Sequence, residues 1–216
     1  KTIAGTLEAM AFLIIPMTLG LMILSEPVIK IIYQRGKFDD FATEITSRAL
    51  FYFSLGMPGF GVQNILSRAF YARQKGKMPL ISGLISIGVN VLLCIALTDS
   101  MDVGGLAIAS AVSQTVAAVI LFIPMQKESK IITGAFVKEI IKMCISSVFM
   151  AVTVVIIRKW VAGFLDDGLI SNIIIAACSV MSGMIIYGAC AIILKINSMR
   201  FSIGIASKIL KRGGNS

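Results

Sequence analysis

Six stretches of this chain, residues 9–25, 49–67, 79–98, 103–125, 140–157 and 169–194, are apolar over close to the roughly 20 residues that an α-helix needs to cross a lipid bilayer. No acidic or basic side chain lies near the centre of any of them. Such runs leave the backbone little choice. Hydrocarbon offers no partner for a free N–H or C=O, so a spanning segment must satisfy its own backbone, as a helix does. The expected fold is therefore an all-α integral membrane protein with six transmembrane helices. Only 14% of the 216 residues are charged and 57% are hydrophobic, whereas a soluble domain carries about a quarter charged residues. The first run can continue through Pro27 to Tyr33 as an interfacial extension, because Glu26 and Lys30 are tolerated among headgroups but not in hydrocarbon.

Charge is confined to the connections. The stretch SRAFYARQKGKMPL, residues 67–80, holds Arg68, Arg73, Lys75 and Lys77, each of which would cost about 2.5–3.5 kcal/mol at a bilayer centre. Threading the chain six times puts fourteen of the 20 Lys and Arg residues on the side of this stretch and six on the other. By the positive-inside rule the 67–80 loop and both ends of the chain are expected on the cytoplasmic side. Asp39 and Asp40 with Glu44, Pro79 and Asp102 suit helix starts.

Several function classes lose support on the same residues. The net charge of +9 comes in short clusters without an aromatic-rich basic surface, so no nucleic-acid partner is expected. Cys94, Cys144, Cys178 and Cys190 lie in apolar runs without CxxC spacing, and there is no His, so neither a metal site nor a cofactor is expected. The Asp pairs at 39–40 and 166–167 lack the third acid of a DDxxD motif, where Thr43 and Ile170 stand instead, and no enzyme chemistry is expected. The chain opens on Lys1 and reads as part of a longer protein.

Within the spans, LGMPGFG at 55–61 interrupts the second run. Pro58 removes a backbone donor, and Gly56, Gly59 and Gly61 ease bending, so the stretch fits either a hinge or a fixed kink. Polar side chains at depth are few; Asn64, Asn90, Ser110 and Gln114 fit either a cavity lining or hydrogen bonding between helices. The last two runs are rich in β-branched residues and fit contact with lipid or a lipid-like ligand. Residues 196–216 read as a basic tail attracted to anionic lipid.

The stretch from Pro16 to Leu80, with Glu26-Pro27, RGKF at 35–38 and Phe70-Tyr71-Ala72-Arg73 before Pro79, resembles the MurJ (MviN) family of lipid II flippases. GVNVLL at 88–93 and GGLAIASAVS at 104–113 continue the likeness. The resemblance implies a two-lobe, fourteen-helix transporter of the bacterial cytoplasmic membrane, of which this chain would supply helices nine to fourteen. Residues 1–126 would be the last four helices of the second lobe, 127–195 two further helices forming a lipid-tail groove, and 196–216 a cytoplasmic tail. The implied partners are an undecaprenyl-diphosphate-linked peptidoglycan precursor, membrane lipids and the preceding helices of the same protein. Arg68, Arg73, Lys75 and Lys77 would then attract the diphosphate at the cytoplasmic mouth, or serve only to set topology. Asn90 and Ser110 match positions at which some relatives hold a cation, but Cys94 stands where a carboxylate is expected, which argues against a sodium site. Polysaccharide-unit, sporulation-type and multidrug exporters of the same superfamily, and a membrane scaffold for wall-synthesis proteins, are the competing readings.

Overall fold

The structure is a computed structural model, and it describes residues 3–33, 40–164 and 168–196. Residues 34–39, with Asp39 and the RGKF stretch, Asp166 and Asp167, and nearly all of the 196–216 tail therefore lie outside the described residues. Seven helices make up the described chain: α1 (Ile3–Ile23), α2 (Ser25–Tyr33), α3 (Asp40–Leu55), α4 (Met57–Ala72), α5 (Lys77–Ser129), α6 (Gly134–Ala162) and α7 (Leu169–Ile193). Four helical stretches among the described residues are long and apolar enough to cross a membrane: Ile3–Ile23, Lys77–Ser129, Gly134–Ala162 and Ile170–Ile193.

The third and fourth apolar runs are the two arms of α5. This 53-residue helix folds back on itself at Asp102, whose φ of 47° and ψ of −130° break the helix. The arms lie antiparallel. Ser82 Oγ donates to Ala117 O at 3.0 Å and Ser86 Oγ to Ser113 O at 2.9 Å. Near the turn the backbones almost touch: a Cβ on Gly105 would sit 2.7 Å from Leu97 O, so only glycine fits.

The second run is two helices. α3 starts at Asp40, nine residues before the apolar stretch, and gives way to α4 at Gly56. Pro58 has no N–H to offer the Ser54 carbonyl, and Gly56 N instead closes a tighter turn onto Phe53 O at 3.0 Å. The first run behaves in the same way. The extension through Pro27 forms a separate helix, α2, after a break at Leu24. At the start of α6, Thr133 caps the helix by accepting from Phe136 N at 3.3 Å.

Packing is organised around α1. Ala11 and Phe12 join Met143, Met150 and Val154 of α6 and Tyr187 and Ala191 of α7 in one buried cluster. Leu7, less than two turns earlier, joins Leu66 and Phe70 of α4 and Leu121 and Met125 of α5 in another. Tyr187 donates its hydroxyl to Phe12 O at 2.7 Å, so the polar end of a buried aromatic meets a backbone acceptor. Small residues set the closest approaches. A Cβ on Gly61 would lie 2.4 Å from Met10 and Ile14 of α1, and one on Gly183 would lie 2.9 Å from Val154. Lipid removes the hydrophobic drive between helices, and close packing of this kind replaces it. The outer faces stay apolar, with Leu92 69% and Ile95 71% exposed, as surfaces bathed in hydrocarbon require.

Candidate functional site

The 67–80 stretch is the connection between α4 and α5. α4 ends at Arg73, and Gln74 turns the chain through a positive φ of 58°. Arg73 Nη1 pairs with Glu128 Oε2 at 2.7 Å while its Nη2 donates to Ser129 Oγ at 2.8 Å. Lys75 reaches the other oxygen of Glu128. One carboxylate from the far end of α5 thus holds two of the four cations and anchors the loop. Arg68 and Lys77 are exposed and make no ion pair among the described residues.

The register that produces this cluster runs the length of α4. A Cβ on Gly56 would meet Ala111 Cα at 2.6 Å, and one on Gly59 would meet Thr115 Oγ1 at 2.8 Å. Arg73 reaches Glu128 at the same offset, so the α3–α4 pair and the second arm of α5 run parallel and in contact. The glycines of 55–61 are therefore sites of close helix approach, and Gly56 itself adopts an ordinary helical φ of −78° and ψ of −15°. Their smallness is used for packing whether or not the segment also bends.

Three of the four polar residues at depth bond within or between helices. Asn64 Nδ2 donates to Phe60 O of its own helix at 3.0 Å. Asn90 Nδ2 lies 3.4 Å from Ser110 Oγ and 3.3 Å from Ser113 Oγ, across the two arms of α5. Gln114 differs, since its Oε1 is buried without a partner among the described residues.

At the opposite end of the bundle from the 67–80 loop is a joint that none of the candidate residues read from the sequence included. Pro27 cannot donate to Ile23 O, the carbonyl four residues back, and so leaves it orphaned where α1 gives way to α2. Arg158 of α6 takes that place. Its Nη1 donates to Ile23 O at 2.8 Å and its Nη2 pairs with Glu26 Oε2 at 2.5 Å. Lys30 completes the group at 3.1 Å from Glu26 Oε1. Burial pushes the Glu26 carboxyl up, but hydrogen bonds and charge from Lys30 and Arg158 outweigh it and hold the group below the usual carboxylate range.

The family model for the lipid II flippase MurJ matches residues 1–175. The chain belongs to this family. Among curated MurJ relatives, the probable lipid II flippase of Rickettsia prowazekii is 29% identical over 184 residues, covering 84% of this chain and 36% of the relative. The probable flippase of Thermotoga maritima is 28% identical over 204 residues, covering 94% of this chain and 38% of the relative. A solved lipid II flippase MurJ in an inward closed conformation shares the fold with a TM-score of 0.74 at 24% identity, over 89% of this chain and 38% of that one. The chain thus spans little more than a third of the length of the MurJ proteins it matches.

Proposed function

We propose that this chain is the carboxy-terminal part of a lipid II flippase, moving a lipid-linked peptidoglycan precursor across the bacterial cytoplasmic membrane without covalent change to it. The observation that carries this reading is the MurJ family match over residues 1–175, joined to a bundle of long apolar helices. In this reading the chain crosses the lipid six times, with α3–α4 and the two arms of α5 each supplying passes, and with both of its ends cytoplasmic. The remaining helices of the protein close the cavity through which the headgroup travels.

Arg68 and Lys77 would offer positive charge to the diphosphate at the cytoplasmic mouth, with Arg73 and Lys75 partly neutralised by Glu128 beside them. The α3–α4 junction would bend at Pro58 as the protein alternates between inward and outward openings. Depleting the full-length protein should leave lipid II on the inner leaflet, and re-expression should restore its appearance outside; accumulation of a different lipid-linked precursor would overturn the assignment. Pro58→Ala, which returns the missing donor without adding bulk, should slow flipping while sparing stability. Labelling of Lys75→Cys by an impermeant reagent from outside intact cells would reverse the orientation.

A further inference from the structure

Pro16, Pro27 and Pro58 each lack the N–H that would serve the carbonyl four residues back, at Phe12, Ile23 and Ser54. The three carbonyls are treated differently. Tyr187 of α7 donates its hydroxyl to Phe12 O at 2.7 Å, and Arg158 of α6 donates to Ile23 O at 2.8 Å. Pro16 and Pro27 stand 11 residues apart, about three turns, so both freed carbonyls fall on one face of α1, about 16 Å from each other. That face is the one buried against α6 and α7, since Phe12, Ile15, Leu19 and Ile23 all pack in the cluster that holds Met150 and Ala191. The proline spacing thus places two acceptors on α1 where α6 and α7 supply two donors. At Ser54 there is no counterpart. Its own hydroxyl turns back to Leu50 O at 2.7 Å, and no side chain among the described residues donates to its carbonyl.

The helix that leads into this third break is also the least anchored. Among the described residues, α3 alone of the seven helices places no side chain in either apolar cluster. Its buried residues, Thr43, Ser47 and Ser54, are all polar. A cavity of about 820 Å³, lined by Thr43, Glu44 and Ser47 together with Arg158, borders α3 on one side, and a groove of about 380 Å³, lined by Leu50 and Phe53 with Ile29 of α2 and Leu106 of α5, borders it on another. Few buried apolar contacts mark a segment of low local stability. α4, across the joint, is held on two sides. Gly61 lies against Met10 and Ile14 of α1, and Arg73 is paired with Glu128 of α5. Between the two helices Gly56 sits so close to Ala111 Cα that the backbones meet and form a pivot.

We propose that this part of the protein moves at one of its three proline joints only. α3 swings about Gly56, while α1, α6 and α7 stay together as one body, held by the two side-chain bonds to proline-freed carbonyls, with α4 and the second arm of α5 fixed to it. The two joints of α1 are static because another helix supplies the donor that proline removed. The joint at Pro58 is mobile because none does. This deepens the transport reading, which calls for a bend at Pro58 without saying which arm moves, and it rests on that reading only for the occasion of the movement.

Hydrogen exchange of the full-length protein in lipid nanodiscs, read by mass spectrometry, tests the joints. Residues 49–55 of α3 should exchange about tenfold faster, or more, than residues 12–23 of α1 and 59–66 of α4, although all three lie in apolar runs. Pro58→Ala, which returns a donor to Ser54 O, should slow exchange at 49–55. Tyr187→Phe keeps the ring and deletes only the hydroxyl, and it should speed exchange at 12–20 about tenfold, the weight of one buried hydrogen bond. Adding Pro16→Ala gives Phe12 O its helical N–H again and should restore a rate near that of the parent, a rescue that altered packing of the ring would not give. The swing is read by spin labels on exposed positions of the same protein: Phe41 of α3 with Ile156 of α6 should give a broader distance distribution than Leu13 of α1 with Met184 of α7. An α3 that exchanges no faster than α1 and α4, a Tyr187→Phe effect that is absent or persists in full beside Pro16→Ala, or distributions of equal width would overturn the proposal. None of these measurements needs lipid II, so the proposal can fail while the flippase assignment stands, and the reverse.

Discussion

Replacing Arg158 by Ala removes the side chain through which α6 hydrogen-bonds to the break between α1 and α2. Two bonds are lost. The Ile23 carbonyl, already deprived of a helical donor by Pro27, would be left without a protein partner, which costs about 1–2 kcal/mol for a partly buried acceptor. Glu26 loses its shorter contact but keeps Lys30; with Glu26 46% and Arg158 32% exposed, that part contributes about 0.5–1 kcal/mol after screening. The sum is about 2 kcal/mol, which lowers the melting temperature by about 4–8 °C for a unit of 150–250 residues. Thermal unfolding in detergent, followed by circular dichroism, measures it. Glu26→Ala should cost less than Arg158→Ala, because it leaves the carbonyl bond intact. The double variant should fall short of the sum of the singles by about 0.5–1 kcal/mol. Arg158→Lys should behave more like Ala than like the parent, since an ammonium lacks the fork that spans both acceptors. Strict additivity, or a neutral Arg158→Ala, would refute the joint.

The same joint sets a pH dependence. The Glu26 carboxyl is held below its ordinary value, so its contribution is fully present above the unfolded value, about 4.3, and is lost as pH falls through the lower folded value. Stability from this source should be flat through neutral pH and decline only in acid. In Arg158→Ala the decline should begin at higher pH, which a pH series of melting temperatures resolves. Asp102 sits at a φ of 47° that favours glycine, so Asp102→Gly should stabilise by about 1 kcal/mol in the same assay, and Asp102→Val should destabilise. Gly56→Ala and Gly59→Ala should each destabilise through contact with Ala111 and Thr115, whereas Gly83→Ala, which meets nothing within 4 Å, should be neutral or stabilising. Glu128→Gln should loosen the 67–80 loop, seen as faster proteolysis there, with little change in the melting temperature because the group is exposed.

What could be read from the residues alone was whatever lipid and local backbone chemistry dictate. Apolar runs near 20 residues located the long helices, Pro58 marked the interruption of the second run, and the polar gap before residue 103 located the turn inside α5, whereas the first run, read as continuing through Pro27, is split into α1 and α2. Boundaries failed where a helix outlasts its apolar stretch. α3 runs back to Asp40 because its first turns face the cavity, where Thr43, Glu44 and Ser47 belong. Hydropathy cannot separate such a segment from a loop, although its three- and four-residue polar spacing was there to be seen. The glycines of 55–61 were read through conformational freedom, while the structure uses their missing Cβ atoms against α5, a property of the partner helix that no local pattern encodes.

The two ion-pair clusters show why one kind of long-range contact is inferable and another is not. Glu128 lies 55 residues from Arg73, and nothing in either neighbourhood selects the other until the parallel register of α4 with the second arm of α5 is known. Arg158 and Ile23 are 135 residues apart, yet half of that contact follows from chemistry. Pro27 guarantees an orphaned carbonyl at Ile23 close to the membrane surface, and such a carbonyl needs a donor. Arg158 and Lys159 are the only basic side chains between Lys142 and Lys195, and in the proposed topology the four passes between residues 26 and 158 return them to the same side as Glu26. A search of the sequence for the donor that each intramembrane proline displaces would therefore have narrowed the partner of Ile23 to the six cations expected on that side, Arg158 and Lys159 among them. The fork of an arginine, able to serve the carbonyl and the Glu26 carboxylate together, favours an arginine among them, and the packing of α6 against α1 selects Arg158.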